Sequence, residues 1–304
     1  MHNVLIVGAG AMGCLFAARL GEAGAAVTLV DVDKARIAAL NAQGVTLSDD
    51  NGEHVVPIWA TVAADARGPI DLVIVFTKGM HTADAIRSVA HLAGPGSLAL
   101  TLQNGLGNAE AMAEVVPRDR ILIGATDLPA DLNGPTRVAS HGLGRIWLGS
   151  FTPEGEAGVG AVVDLLRRAG FEAVADPQVR VAIWEKVAFN AALNALATVT
   201  RLTVGGMNTP AGRRIATAVV DEVTATAASL GLAIDRASVL AKIDHGLVHH
   251  RDHKASMLQD RLAGRRTEIE SINGAVVEAA RAAGVPTPVT ATLADLVRMV
   301  EAAG

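Results

Sequence analysis

Through the first half of the chain, short apolar runs alternate with stretches whose apolar residues recur every three or four positions. Residues 4–7 form an apolar run that ends in glycines, and residues 13–21 carry apolar positions at helical spacing. A second β-branched run covers residues 26–30, followed by a second helical stretch at 34–40. Residues 71–76 read Asp-Leu-Val-Ile-Val-Phe, with no polar alternation after Asp71. Such a strand is apolar on both faces, as at the centre of a parallel sheet. Residues 97–102 and 120–124 repeat the theme. Residues 138–141 and 145–149, separated by a glycine-containing turn, are expected to form an antiparallel extension. Strands alternating with helices predict a doubly wound α/β sheet.

The second half changes character. From about residue 179 to 304 the sequence is Ala-rich with helical periods, punctuated by Pro210, Gly231 and the stretch Val285-Pro-Thr-Pro288. This predicts an all-helical domain. The boundary is placed near Asp176-Pro177, giving a dinucleotide-binding Rossmann domain at 1–176 and a helical substrate and catalytic domain at 177–304.

Composition narrows the function classes. Half of the 304 residues are hydrophobic and 19% are charged, enough apolar material for buried cores. Aromatics are 3%, with no Tyr, so base stacking on aromatic platforms is not expected. With 26 basic and 31 acidic residues, the net charge of −5 offers no footprint for a phosphate backbone. The single cysteine, Cys14, excludes an internal disulfide and reads as packing in the first helix. Gly, Asp or Lys interrupts each apolar run well before the ~20 residues of a spanning helix. The expectation is a cytoplasmic protein that binds neither nucleic acid nor membrane.

The glycines carry the first chemistry. Gly8-Ala9-Gly10-Ala11-Met12-Gly13 follows the first strand and opens a helix. Such glycines permit a tight turn and let a pyrophosphate approach backbone amides at a helix N-terminus. Asp31 ends the second strand, 18 residues beyond Gly13. An acid there hydrogen-bonds ribose hydroxyls and repels a 2′-phosphate, which favours NAD(H) over NADP(H). The alternative is that Asp31 faces solvent while Lys34 or Arg36 holds a phosphate.

Further polar residues stand at telling positions. Lys186, Asn190 and Asn194 share one helix face among Ala, Val, Phe and Leu. Buried amides and ammonium groups need partners, and a substrate carbonyl and carboxylate would supply them. The alternative is an exposed polar stripe. Asn104 and Lys78 each follow a strand at the carboxyl edge, where open sheets bind ligands. On their own, Asn104 also reads as a turn-forming Asn-Gly and Lys78 as a solvated lysine.

Behind the glycine loop come Phe76-Thr-Lys78, Gln103-Asn104-Gly105, Trp184-Glu185-Lys186 through Asn194, and Ser256-Met-Leu-Gln-Asp260 with Thr267-Glu268-Ile269. In this order they resemble the ketopantoate reductase (2-dehydropantoate 2-reductase) family over essentially the whole chain. The resemblance implies a Rossmann domain, a helical domain and an active site in the cleft between them. It implies Lys186 as general acid, Asn190 and Asn194 as substrate contacts, and Ser256 as a ligand of the substrate carboxylate. Asn104 would sit beside nicotinamide and substrate, Lys78 at the cofactor, and Glu268 as an active-site acid near both. Without it, Ser256 reads as a helix cap and Glu268 as a surface acid. The family's usual cofactor is NADPH, with a basic residue where Asp31 stands. Asp31 and Phe76-Thr-Lys78-Gly-Met80 look more like the NAD-dependent D-2-hydroxyacid dehydrogenase branch.

The expected reaction is hydride transfer from reduced nicotinamide to the carbonyl of a small 2-oxo acid, giving the D-2-hydroxy acid. The alternatives are a strict NADPH-dependent 2-dehydropantoate 2-reductase of pantothenate biosynthesis and a non-catalytic NAD(P)-binding redox sensor. The candidate assembly is a homodimer. His245, His249, His250 and His253 form a cluster without flanking Cys or a zinc motif, and no metal is expected.

Overall fold

A computed structural model describes residues 1–142 and 144–303. Leu143, in the turn expected before residue 145, and Gly304, at the end of the expected helical half, lie outside the described residues. Two compact units result. The first comprises Met1–Gln103 and Asn108–Val179, and the second Asn104–Gly107 and the chain from Arg180 on.

The first unit runs β1 (Asn3–Val7), α1 (Ala11–Glu22), β2 (Ala26–Val30), α2 (Lys34–Gln43), β3 (Val45–Asp49), β4 (Gly52–Val56), β5 (Trp59–Thr61), β6 (Ile70–Val75), α3 (Thr82–Val89) and β7 (Ala93–Thr101). It continues through α4 (Asn108–Met112), β8 (Ile121–Thr126), β9 (Asp131–Leu132), β10 (Arg137–Ala139), β11 (Arg145–Ser150), α5 (Glu156–Arg168) and β12 (Glu172–Ala175). The main sheet has the order β12-β11-β8-β7-β6-β1-β2-β5. From β8 to β5 its neighbours pair in parallel. The chain turns from one side of β1 to the other when it reaches β6, a switch point that opens a crevice at the carboxyl ends.

Burial explains these elements. Val4, Leu5, Ile6, Leu72 and Ile74 are fully buried, so β1 and β6 are covered on both faces. Phe16 of α1 stacks on Phe171 at 4.4 Å and meets Phe76 edge-on at 4.8 Å, fixing the helix against the sheet. Each such side chain contributes about 1.5–3 kcal/mol by leaving water. Asp33 caps α2 by accepting from the Ala35 and Arg36 amides. Asp71 accepts from His2 N–H at 2.7 Å and Asn3 N–H at 3.0 Å, which hold its carboxyl below its usual value. At the β5 edge, the Asn41 carboxamide bonds both main-chain groups of Ala60, each at 2.8 Å.

The second sheet has the order β4-β3-β10-β9 and corrects one expectation. Residues 145–149 do extend the main sheet, since β11 pairs antiparallel with β8. Residues 138–141 do not join them, because β10 pairs in parallel with β3 instead. Val138 is thereby buried in the cluster that holds Val45 and Leu47.

The second unit is helical: α6 (Val179–Thr200), α7 (Pro210–Ser229), α8 (Arg236–His249), α9 (Ser256–Leu262), α10 (Ala275–Ala283) and α11 (Pro288–Ala302). Pro210 and Pro288 stand in first turns, where a missing N–H costs nothing. Glu222 on α7 accepts from the Val289 and Thr290 amides at 2.9 and 2.8 Å, closing the N-terminus of α11. A π-helical turn at Glu270–Gly274 precedes α10, with Gly274 N–H reaching the Ile269 carbonyl at 2.9 Å. No helix among the described residues is long and apolar enough to cross a membrane.

Candidate active site

The glycine loop joins β1 to α1. Gly8 has φ +109°, and a Cβ there would lie 2.8 Å from the main chain of Phe76 and Thr77. A Cβ on Gly13 would lie 1.9 Å from the Gly8 carbonyl oxygen. Those two glycines are demanded by the fold. Gly10 is different, because a Cβ there would meet nothing within 4 Å. Gly10 also begins α1 without a side-chain cap, so the first-turn amides of Ala11 and Met12 face that space with no capping oxygen. A pyrophosphate has the charge and the acceptors such a helix end calls for. The residues present therefore fit a dinucleotide.

Asp31 is tied to this loop. Its Oδ2 accepts from Ala9 N–H at 2.6 Å and its Oδ1 from Asp33 N–H at 2.9 Å. The carboxylate thus stays at the end of β2, each oxygen keeping a further lone pair. Arg36 donates from Nη1 to the Ala9 carbonyl at 2.8 Å, and Cys14 Sγ approaches the same oxygen at 3.5 Å. The Ala9 peptide is held from both sides. Burial pushes the Cys14 thiol up to about 12, which leaves it a packing group. Lys34 is exposed.

Lys78 is half-buried and stands after β6 at the start of a tight turn, where its carbonyl accepts from His81 N–H at 2.8 Å. Gln103, at the carboxyl end of β7, secures that region. Its Nε2 donates to the Thr77 carbonyl at 2.7 Å and to Thr82 Oγ1 at 2.9 Å, while Thr101 Oγ1 donates to its Oε1 at 2.9 Å. Thr82 Oγ1 donates onward to Asn108 Oδ1 at 3.0 Å. The sequence reading gave Gln103 no role, although a Gln ending an apolar strand beside Asn104-Gly105 was a usable signal.

Asn104 belongs to the second unit with its neighbours. Gly105 adopts φ +85°, and a Cβ there would lie 2.4 Å from the Ser271 carbonyl oxygen. Leu106 N–H donates to that oxygen at 2.7 Å. The Asn104 segment is therefore seated on the π-helical turn.

On α6, Asn190 and Asn194 are buried at 9% and 5% exposure and Lys186 is half-buried. The stripe is not a solvated face. Asn194 Nδ2 donates to Ser256 Oγ at 3.4 Å. Ser256 is the first residue of α9, whose capping position is Ala255, so its hydroxyl turns to Asn194 rather than capping the helix. Glu268 is 6% exposed, not a surface acid. Its carbonyl accepts from Ile272 N–H at 3.0 Å and from Ser271 Oγ at 3.2 Å at the mouth of the π-helical turn. The structure thus joins Asn194 to Ser256, and seats the Asn104 segment on the turn that Glu268 precedes. The His245 ring lies tilted against His249 at 4.4 Å and meets His250 at 5.6 Å on the exposed end of α8. Among the described residues no group of three metal-ligating side chains converges.

A sheet of this order with this loop defines a dinucleotide-binding protein, and the helical unit that follows carries two buried asparagines in line with a half-buried lysine. The comparisons give the family. A family model described as ketopantoate reductase PanE/ApbA matches residues 4–153, and the corresponding C-terminal model matches residues 178–301. A 2-dehydropantoate 2-reductase of Halobacterium salinarum is 34% identical over 99% of this chain and 100% of its own. The ternary structure of D-mandelate dehydrogenase with NADH and anilino(oxo)acetate superposes with TM-score 0.94 at 27% identity, covering 99% of each chain. A 2-dehydropantoate 2-reductase of Geobacter metallireducens superposes with TM-score 0.91 at 29% identity, over 98% of this chain and 99% of its own. The chain belongs to the ketopantoate reductase family and is an oxidoreductase, which sets aside the non-catalytic sensor.

Proposed function

We propose that this enzyme reduces a small 2-oxo acid to the D-2-hydroxy acid and prefers NADH to NADPH. The observation that carries the reduction is the pair of buried asparagines on α6 in line with half-buried Lys186, with Asn194 in contact with Ser256. Amides on an apolar helix face, with a hydroxyl from a second helix beside them, are suited to a carboxylate and a carbonyl. The observation that carries the cofactor preference is the Asp31 carboxylate, fixed by two main-chain amides beside the loop.

Reduced nicotinamide, when bound, supplies the hydride. Gly8 to Gly13 and the first turn of α1 hold the pyrophosphate, Asp31 the adenosine ribose, and Lys78 and Asn104 the nicotinamide end. Asn190, Asn194 and Ser256 bind the substrate carboxylate. Lys186 Nζ gives a proton to the carbonyl oxygen as the carbonyl carbon is reduced, leaving a hydroxyl and a neutral amine. Glu268 is the buried acid that serves this exchange. A positioned proton donor contributes about 10²–10⁴-fold.

A second reading is a strict NADPH-dependent 2-dehydropantoate 2-reductase acting in pantothenate biosynthesis. Arg36 favours it, because its guanidinium already lies on the Ala9 carbonyl at the loop. Against it stands the fixed carboxylate of Asp31. At ~4 Å and an effective dielectric of ~20, each unit of like charge costs about 4 kcal/mol. The deciding experiment is a panel of 2-oxo acids, including ketopantoate and phenylglyoxylate, run with both cofactors. Higher kcat/KM with NADH supports the proposal; a clear NADPH preference restricted to ketopantoate establishes the second reading instead. The homodimer remains the proposed assembly.

A further inference from the structure

Asn273 is fully buried in the π-helical turn and is used by no step above. Its Nδ2 donates to the Ala191 carbonyl at 3.1 Å. Ala191 lies on α6 between Asn190 and Asn194, and its carbonyl stands in the interior of a continuous helix. The Asn273 Oδ1 is buried with no hydrogen-bond partner. A buried acceptor without a partner destabilises a fold, and an apolar residue of the same shape would avoid that cost. Packing alone therefore gives no reason for an amide here.

The surroundings give one. Two residues before Asn273, the Ser271 carbonyl accepts from Leu106 N–H at 2.7 Å and seats the Asn104 segment. Just ahead of the same turn, the Glu268 carbonyl accepts from Ile272 N–H at 3.0 Å. The turn between them closes with a π-type bond from Gly274 N–H to the Ile269 carbonyl, a winding common at functional sites. Asn273 is the side chain that ties this turn to α6. We propose that Asn273 is a positioning residue, which sets the Asn104 segment and Glu268 against the Asn190 and Asn194 face through its bond to Ala191. The inference rests on the substrate roles proposed for those residues.

The test uses the full-length enzyme and two variants. Asn273→Leu keeps the shape and removes the donor together with the orphan acceptor. Its expected result is a kcat lower by ~10-fold or more, since misplacement of about 1 Å costs up to ~10². The Kd for NADH, read by its fluorescence, should rise by a smaller factor than kcat falls, because the glycine loop is formed by the first unit and only the Asn104 contact is disturbed. The Leu106 amide should exchange faster with solvent deuterium. Asn273→Asp can donate to Ala191 only when its carboxyl is protonated, so its kcat relative to wild type should rise as pH falls. Wild-type kcat and KM in Asn273→Leu, or a flat pH ratio in Asn273→Asp, overturns the proposal. If Asn273→Leu does not fold, the pH ratio decides alone. A wild-type chain that reduces no 2-oxo acid instead overturns the substrate reading, and Leu106 exchange then decides whether the tie exists.

Discussion

Replacing Gly10 by Ala separates what the loop needs in order to fold from what it needs in order to bind. Gly10 has φ −75° and ψ −170°, extended backbone open to any residue. A Cβ there meets no atom within 4 Å, so alanine loses no contact and forces none. The unfolded chain loses freedom, which favours the fold by about 0.4–1 kcal/mol, and alanine's poorer fit to the N-cap position offsets this. In a unit of this size the melting temperature should stay within roughly 4 °C of wild type. The same methyl group occupies the space through which a pyrophosphate would reach the first turn of α1. NADH affinity should fall ~10-fold or more, equivalent to about 1.4 kcal/mol. Gly13→Ala is the contrast, because its Cβ would stand 1.9 Å from a main-chain oxygen and must shift the backbone. That variant should lose stability and binding together. The assay is thermal unfolding of the free protein, then NADH titration by fluorescence. A Gly10→Ala variant that binds NADH as wild type does would show that this space is not the dinucleotide's. One that melts as low as Gly13→Ala would refute the packing argument.

The remaining predictions concern proton chemistry. Lys186→Ala should lower kcat by ~10²-fold or more while leaving the fold intact; near wild-type turnover in the purified variant removes Lys186 from the reaction. Asp71 contributes stability with a defined pH window. The His2 and Asn3 amides hold its folded pKa below the unfolded value, so the contribution is complete above the unfolded value and is lost as pH falls through the folded one. Asp71→Asn should therefore melt lower than wild type at pH 7, and the gap should begin to shrink below about pH 3.9 and vanish below the folded value; a gap that persists in acid removes the charge argument.

The central strands were legible because burial on both faces writes an uninterrupted apolar run, as in β1 and β6. The β3–β4 hairpin was not, although Asp50-Asn51-Gly52 is a turn signal. Its strand pattern is disguised by Asp49, a core position filled by an acid that Arg19 pairs with. The pairing of β10 with β3 joins residues about ninety positions apart, and no local pattern encodes that. At the site, residues on one helix face or in a contiguous motif could be read, because spacing alone places Lys186, Asn190 and Asn194 together. Asn273 could not, and Gln103 only by its place beside Asn104-Gly105, since each acts through a main-chain carbonyl whose position depends on tertiary packing.

The Asn41 carboxamide on the β5 edge has a bearing on self-association. Ala60 presents its N–H and C=O away from β2, and Asn41 from the same chain takes both. A foreign strand arriving there would find no free donor or acceptor at Ala60 and would have to displace two hydrogen bonds to dock. Such a block matters because the neighbouring Trp59 is 62% exposed and would otherwise make an adhesive rim. The side chain of one asparagine thus guards the terminal strand against strand-by-strand extension at Ala60.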